Sequence, residues 1–413
     1  MRVPTLLVVL ASLAGLSAGA QTVAVNPAGE TQVVPRGGVD DLDVALWPNS
    51  AAPQRSLLIV SDPTVGLTTY KLDGGEQEVR LGEGVSFGVD VHDSFALPGA
   101  NAPLIVVANA SRALNAYVVD PLTLGLRRVD MDTLRVPNFE PRTVALYRSA
   151  SSGRFYAFAV NAAGTVQQLE LSANQDGGVE GAAVRNFDVG GAVSGAVADD
   201  QQGALFVAQQ NEGIWRYSAE PNGGSTRERV ATPSNGFLEV PLGGLSLYAL
   251  ADGDGYLVAA SAGGNRVVLF QRKPPHDIVG AFSVQASGTI DAVTGPNSIE
   301  VSSRALGTAF PGGIVVVHDA QNDPTQNHKL VSWQSVASAF SPPLRSSAQP
   351  SPDGGVDGGT DGGKPGGGGG GSGGGGGSIP SEEGGCGCAA ASVPGTVLFL
   401  VVGLALRGRR RRG

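Results

Sequence analysis

The residues whose chemistry follows most directly from type and spacing are two cysteines near the end of the chain, Cys386 and Cys388. An apolar run, residues 389–406, follows them, and then a cluster of arginines, residues 407–412. A thiol beside a membrane segment is the usual acceptor for a lipid. The arginines would keep the apolar run from slipping through a bilayer. We therefore predict that Cys386 and Cys388 serve sorting or lipidation and that residues 389–406 form a transmembrane segment.

The first twenty residues have the three parts of a secretory signal peptide. Arg2 supplies the positive charge, residues 6–16 are apolar but too short to span a bilayer, and Ala18-Gly19-Ala20 is a small-residue cleavage site. We predict cleavage between Ala20 and Gln21, so the mature protein is exported. Residues 15–19 match the Gly-x-Ser-x-Gly pattern of hydrolases, but they lie in a segment that is removed.

The end of the chain, residues 384–413, resembles the myxobacterial C-terminal sorting tail, in which a Gly-Cys signature precedes a membrane segment and a basic cluster. The resemblance implies an intramembrane sorting protease as a partner. It also implies that the protein is left at the cell surface or outer membrane, anchored through the tail. Both are expectations for this chain.

Composition excludes several kinds of site. The formal net charge is -9, and the segments predicted to be lost carry six arginines and no acids, so the mature surface repels polyanions such as nucleic acid. Both cysteines lie in the tail, so the globular part has no disulfide. The histidines lack metal-ligand spacing and do not predict a zinc site. They are His92, His276, His318 and His328.

Four segments follow from these patterns: a signal peptide at 1–20, a folded body at 21–341, a linker at 342–383 and the sorting tail at 384–413. The linker is rich in proline, Asp-Gly-Gly triplets and glycine, a composition that cannot bury enough apolar surface to fold. The body is about twice the commonest domain size, which predicts two domains or one repetitive architecture.

Six short apolar runs in the body, bounded by turn residues, predict buried strands. They are residues 57–60, 104–108, 155–160, 204–208, 255–260 and 313–317. The runs begin roughly fifty residues apart, and in most cases a second strand-like run follows within about ten residues. This period predicts an all-β fold, a six-bladed β-propeller. The alternative is a pair of β-sandwiches, but no break in composition divides the body.

The body resembles the β-propeller phytases, which are six-bladed, calcium-dependent phosphatases that remove phosphate from inositol hexakisphosphate. The stretches that carry the resemblance are 197–200, 203–208, 213–225, 244–248, 251–257 and 327–333. The resemblance implies calcium as a cofactor, because clustered carboxylates hold hard cations that offset the charge of a phosphate. It also implies an inositol phosphate as the small-molecule partner. We expect the protein to be a monomer.

The resemblance implies a set of site residues. Asp43, Asp90, Asp199, Asp200 and Asp319 would be calcium ligands, and Arg112 would contact a phosphate. The catalytic residues stay unassigned. An alternative interpretation treats Asp199-Asp200 as turn residues, since Asp is favoured at hairpin turns for backbone reasons. Arg112 would then only solvate a loop.

The chain departs from the family pattern where carboxylates and lysines are expected. Family glutamates are replaced by Ser194, Gln209, Gln210 and Gly243, and an aspartate-rich loop becomes residues 295–300. Family lysines fall near residues 62–64 and at Ala162, which have no lysine. Two hypotheses follow: a surface-anchored phytase-like phosphatase with a reduced calcium set, or a catalytically inactive propeller that acts as a binding module.

Overall fold

The computed structural model describes residues 20–34, 42–81, 84–130, 132–322 and 325–348. The chain divides into two units, residues 1–354 and 355–413, and every described residue lies in the first. The predicted signal peptide up to residue 19, the linker from residue 349 and the sorting tail lie outside the described residues. Within the described part of the chain, no helix is long and apolar enough to cross a membrane.

Six β-sheets make up the described residues, and each sheet is a meander of strands joined by short turns. Blade one holds β3 (Asp43–Trp47), β4 (Leu57–Asp62), β5 (Gly66–Lys71) and β6 (Glu76–Leu81). Blade two holds β7 (Ser86–Leu97), β8 (Ala100–Asn109), β9 (Ala113–Val119) and β10 (Leu126–Arg128). Blade three holds β11 (Pro141–Arg148), β12 (Phe155–Asn161), β13 (Thr165–Ala173) and β14 (Val179–Asp188).

Blade four holds β15 (Val193–Asp199), β16 (Ala204–Gln209), β17 (Gly213–Ser218) and β18 (Arg227–Ala231). Blade five holds β19 (Leu242–Ala249), β20 (Gly255–Ser261), β21 (Arg266–Gln271) and β22 (Ile278–Val284), and blade six holds β23 (Ile299–Ser302), β24 (Ile314–Asp319) and β25 (Asn327–Ser332). Short 3-10 turns occur at Pro53–Arg55, Pro233–Asn235 and Ala262–Gly264, and one helix, α1, spans Trp333–Ala339.

The second strand of each blade is the apolar run predicted from the sequence. Strands β4, β8, β12, β16, β20 and β24 are buried along most of their length because both faces of each sheet are covered by neighbouring blades. Buried apolar residues fall into six clusters, and each cluster joins two adjacent blades around a ring. The six-bladed propeller is thus confirmed, and the sandwich pair is excluded.

The N-terminal segment closes the ring by adding strands to the last two blades. Strand β1 (Gln21–Val25) runs parallel to β22 at the outer edge of blade five. Strand β2 (Gly29–Glu30) pairs antiparallel with β25 and becomes the outer strand of blade six. The two chain ends of the body therefore share one sheet.

Residues that follow β25 also pack against the body. The indole of Trp333 stacks on the ring of Tyr248 with centroids 3.7 Å apart, and its Nε1 donates to the carbonyl of Arg345 at 3.0 Å. Leu344 is buried, and the guanidinium of Arg345 pairs with the carboxylate of Asp252. Residues 342–348, which composition assigns to the linker, thus contact blade five.

Candidate functional site

The innermost strands of the six blades, β3, β7, β11, β15, β19 and β23, surround a channel along the axis of the ring. Three carboxylates from consecutive blades face a cavity of about 40 Å³ in this channel: Glu300 of blade six, Asp43 of blade one and Asp90 of blade two. A cavity of this size holds only a few waters or an ion. The channel is therefore a narrow site whose charged groups come from half of the ring.

Each of these carboxylates also accepts a hydrogen bond from the next blade. Asp43 Oδ2 accepts from the backbone N–H of Val89 at 3.0 Å. Asp90 Oδ2 accepts from the N–H of Leu146 at 2.7 Å. In this way each carboxylate joins its own blade to the following one and holds a fixed orientation.

Glu300 completes the series by accepting from the backbone N–H of Leu46. Its Oε2 also accepts from the hydroxyl of Ser246 at 3.1 Å. The same hydroxyl oxygen accepts from the N–H of Val301 at 2.9 Å, so the link between blades five and six has the same form. Four side-chain acceptors therefore join five blades in sequence around the ring, from blade five through blades six, one and two to blade three.

The environment of the channel raises the pKa of all three acids. Burial raises the pKa of Glu300 to about 8, and repulsion from Asp90 and Asp43 acts in the same direction. Burial raises the pKa of Asp43 to about 7 and that of Asp90 to about 6, although backbone N–H bonds to each carboxylate oppose the shift. Negative charge in the channel is thus costly unless a cation offsets it.

One end of the channel opens into a wider mouth of about 430 Å³. Asp43 lies at the junction because its carboxylate lines both the mouth and the narrow cavity. The remaining wall carries hydroxyl and amide groups from blades three and four and from the segment that leads into blade six. Its polar residues are Thr143, Ser194, Gln210, Asn297 and Ser298.

Irregularities in strand pairing place several side chains at this mouth. The inner strands of blades two to five each carry an extra residue relative to their partner strand, at Phe87–Gly88, Arg142, Ser194 and Gly243–Gly244. A β-bulge of this kind turns a side chain away from the regular alternation and is frequent beside active sites. Phe87, Arg142, Ser194 and Gly243 all line the mouth.

Close approach of the inner strands explains the glycines there. A Cβ on Gly195 would lie 2.6 Å from the Cα of Gly244, and a Cβ on Gly88 would lie 2.6 Å from the Cα of Thr143. Real Cβ atoms do not approach backbone this closely, so only glycine allows these strands to meet. Direct backbone packing therefore joins blades four and five, and between blades two and three it adds to the bridge made by Asp90.

Two of the sequence-predicted ligands belong to other contacts. Asp199 is buried and accepts from Arg272 at 2.6 Å through both carboxylate oxygens. Asp200 Oδ2 lies 2.7 Å from His92 Nε2, and its Oδ1 accepts from the N–H of Arg148 at 2.8 Å. Neither carboxylate lines the mouth or the narrow cavity.

The remaining predicted residues also lie apart from the channel. Asp319 Oδ2 is 3.2 Å from the fully buried ammonium of Lys329, and its Oδ1 accepts from the N–H of Thr294 at 3.0 Å. Arg112 is exposed in the turn after β8, where it donates to the carbonyl of Pro137 at 3.5 Å. The structure therefore brings together Asp43 and Asp90 from the predicted set.

Four positions at which the sequence departs from the family that it resembles meet at the mouth. Ala162, Ser194, Gln210 and Gly243 all line it. Ser194 donates to the carbonyl of Gly243 at 3.1 Å. Gln209 turns away, and its Oε1 accepts from the indole N–H of Trp215 at 2.8 Å. Four of the positions that differ from the family pattern are therefore mouth residues, and Gln209 is not.

Sequence reasoning missed Glu300 and Arg142 as site residues. The sequence does contain a signal for Glu300, which is an acid placed between two aliphatic residues. The same pattern occurs at all three channel acids: Leu42-Asp43-Val44, Val89-Asp90-Val91 and Ile299-Glu300-Val301. An acid in that setting on an inner strand must face the channel. Arg142 has no such signal, because the direction of its side chain depends on the bulge in β11.

The oxygen donors of the channel suit a hard cation such as calcium. Among the described residues, however, no three carboxylate, thiol or imidazole side chains stand close enough together to hold one metal ion. A cation here would therefore need further oxygen donors beside these carboxylates.

A larger cavity, of about 820 Å³, lies beside β2 and away from the channel. Two of its acids, Glu30 and Asp291, already pair with the ammonium of Lys329. Because the ammonium of Lys329 already occupies the space between these acids, the cavity is the weaker candidate for a site.

Comparisons with known proteins agree with this geometry. The family model described as Phytase matches residues 3–352. The chain is 31% identical over 320 residues to the 3-phytase of Bacillus subtilis (strain 168), covering 75% of this chain and 83% of that protein. Two crystal structures of BBS1N in complex with ARL6DN, soaked with lead and with mercury, are 12% and 10% identical, with a TM-score of 0.40 in each case. They cover 67% of this chain and 75% and 74% of theirs, and at this TM-score they add nothing to the argument.

Proposed function

Because the chain belongs to the phytase family, we propose that it is a calcium-dependent phosphatase that hydrolyses phosphomonoesters of inositol phosphates at the mouth of its channel. The observation that carries the proposal is the continuity of the mouth with three channel carboxylates of raised pKa. Acids that repel one another in a buried channel favour a bound cation.

Asp43, Asp90 and Glu300 are the residues that would hold calcium, each through the oxygen lone pairs that backbone N–H groups do not occupy. Bound calcium would offset the charge of a phosphate and polarise it for attack by water. The hydrogen bonds from Val89 and Leu146 fix the carboxylates in orientation. Asp43 lines both the channel and the mouth, so calcium held by Asp43 would lie beside a phosphate bound in the mouth.

The test is release of phosphate from phytate by the purified protein, measured with excess calcium and with a calcium chelator. We expect release in calcium only, and a loss of about a hundredfold in kcat/KM for Asp43→Asn. Asp176→Asn is the matched control, because Asp176 is an exposed acid that lines neither the channel nor the mouth. Equal activity with and without calcium would contradict the proposal.

A second candidate function is a binding module without catalysis. The observation that favours it is the replacement of family glutamates by Ser194, Gln210 and Gly243, all of which line the mouth. Calcium-dependent binding of phytate without measurable hydrolysis would support this candidate. Hydrolysis that Asp43→Asn abolishes would exclude it.

We further propose that the protein is exported and attached to the cell surface or outer membrane through residues 384–413, which an intramembrane protease processes. The sequence patterns at both ends support this, and β1 begins at Gln21, so cleavage after Ala20 leaves the folded body whole. Cell fractionation tests it. We expect the Cys386→Ser, Cys388→Ser double variant to be absent from the surface fraction. If the double variant stays in that fraction, the thiols have no role in attachment.

A further inference from the structure

The mouth carries one basic side chain among its described residues, Arg142, and this side chain is held in a fixed position. Its Cζ lies 3.7 Å from the ring centroid of Phe87, so the guanidinium stacks on an aromatic face contributed by the preceding blade. Its Nη2 also lies 2.8 Å from Glu140 Oε1. Stacking uses the face of the guanidinium and not the N–H groups at its edge, which take part in ion pairing.

The bulge in β11 is what directs Arg142 into the mouth. Pro141 pairs with Asn161 and Thr143 pairs with Val160, so Arg142 is the extra residue between two consecutive pairs. Both Thr143 and Arg142 consequently line the mouth. In regular alternation the two side chains would lie on opposite faces of the strand.

The ion pair with Glu140 does not compete strongly with a ligand. Arg142 and Glu140 are 38% and 41% exposed, and exposed pairs contribute at most about 1 kcal/mol. A phosphate in the mouth can accept two parallel hydrogen bonds from a guanidinium edge, which is the stronger arrangement. Arg142 is thus placed to bind an anion, with the channel acids beyond it at Asp43.

The charge of the mouth limits how many phosphates it can accept. Against the one positive charge of Arg142 stand the carboxylates of Asp43, which lines the mouth, and of Glu140, which pairs with Arg142; the other wall groups are neutral hydroxyls and amides, and the chain as a whole is acidic at -9. Beyond the charge that calcium in the channel would offset, a hexakisphosphate would bring several more that no described mouth residue offsets. A monophosphate of a polyhydroxylated ring would use Arg142 for its phosphate and the polar wall for its hydroxyls.

We propose that Arg142 is the phosphate-binding side chain of the mouth and that the site selects substrates with a single phosphate on a polyol, such as an inositol monophosphate, over inositol hexakisphosphate. This inference rests on the proposed function for its chemistry, but its binding component stands independently. The mouth of this chain would thus hold a single anionic group, whereas the family pattern that the sequence departs from gathers many charges.

The experiment measures binding and turnover separately on the purified protein in calcium. Titration calorimetry with inorganic phosphate, myo-inositol 1-phosphate and phytate gives the dissociation constants, and phosphate release gives KM and kcat. We expect myo-inositol 1-phosphate to have the higher kcat/KM. We expect Arg142→Ala to raise the dissociation constant of inorganic phosphate and the KM for the monophosphate by about tenfold or more. Arg142→Lys should recover part of this, because it keeps the charge without the planar fork.

Arg154→Ala is the matched control, since Arg154 is an exposed arginine of the same blade that pairs with Glu170 and does not line the mouth. It should leave all constants unchanged, and thermal unfolding should be the same for each variant. Unchanged binding in Arg142→Ala, or a preference for phytate, would overturn the inference while leaving the phosphatase proposal intact. Arg142-dependent binding without turnover would instead support the inference and contradict the phosphatase proposal.

Discussion

Each channel acid has two separate roles, one in the ring and one in the site. One role is the hydrogen bond to the next blade, as from Val89 to Asp43, which needs only an acceptor. The other is negative charge, which calcium binding would need and which burial opposes. At Asp43 both carboxylate oxygens accept backbone N–H groups, from Val44 and from Val89, so Asp43→Asn removes the charge and also one of these two acceptors.

Glu300→Gln should change the pH dependence of stability in calcium-free solution. The pKa of Glu300 is raised by burial to about 8, so between about pH 4.5 and 8 the folded protein binds more protons than the unfolded chain. Its contribution to stability therefore falls as pH rises through this window, by up to about 1.4 kcal/mol per pH unit. Urea unfolding at pH 5 and pH 8 in chelator should show a smaller loss in the variant.

Added calcium should stabilise the wild type at pH 8 and stabilise Glu300→Gln less. Asp176→Asn should behave as the wild type throughout. A variant with the same pH slope and the same calcium response as the wild type would contradict the role of Glu300 in the channel.

The ion pair between Asp199 and Arg272 is the clearest buried charge pair outside the channel. Both side chains are nearly inaccessible, at 0% and 3% exposure, so removing one partner leaves an uncompensated charge. Arg272→Met should lower the free energy of unfolding by about 3 to 5 kcal/mol in urea. Adding Asp199→Asn should restore part of the loss, and a double variant as unstable as the sum of the two single variants would contradict this explanation.

The sequence predicts part of the site at the residue scale. Asp43 and Asp90 follow from the family resemblance and from their strand-like neighbours, and both face the channel. Glu300 shares the same local pattern. Arg142 was not predictable, because the pairing irregularity that directs it depends on how β11 meets β12 and not on the residues of β11 alone.

At the scale of elements, the sequence identifies the middle strands of the blades but not the inner and outer ones. Middle strands such as Leu57–Asp62 are covered on both faces and read as continuous apolar runs. Inner strands are interrupted by channel acids, glycines and bulges, as in Leu242–Ala249. Outer strands such as Arg227–Ala231 are largely exposed and carry charged residues, so no apolar pattern marks them.

Blade six contains a buried histidine that should make the fold sensitive to acid. His328 is fully buried in β25, and burial lowers its pKa well below the usual value, with His318 and Lys329 acting in the same direction. The folded protein keeps it neutral, whereas the unfolded chain takes up a proton below about pH 6.5. Its contribution to stability is thus lost as pH falls below about 6.5.

His328→Phe should therefore flatten the decline of stability between pH 6.5 and pH 5, which urea unfolding at several pH values would measure. His92→Gln is the comparison, because His92 is partly exposed beside Asp200 and does not belong to this blade. If the decline is as steep in His328→Phe as in the wild type, the acid sensitivity arises elsewhere.

At the scale of the whole molecule, the N-terminal segment holds the ring together. Strand β1 covers the edge of blade five, and Val25 is part of the apolar cluster between blades five and six. Deleting residues 21–25 should lower the free energy of unfolding by at least about 2 kcal/mol, since a buried valine and a row of backbone hydrogen bonds are lost. Urea unfolding measures the loss. Removing Ala20 alone should have no effect, and equal stability of both deletions would contradict the role of β1.

The pairing of β2 with β25 also sets the order in which the protein can be assembled. The four consecutive strands of each of blades one to five can form from neighbouring residues as the chain leaves the ribosome. The early strands β1 and β2 must wait for their partners: β1 for β22 of blade five, and Gly29–Glu30 for Asn327–Ser332 of blade six. A chain that is threaded through a membrane during its synthesis would cross with these early strands unmatched. Under the export that we propose, the last joint of the ring is therefore made outside the cytoplasm, after the whole body has been translocated.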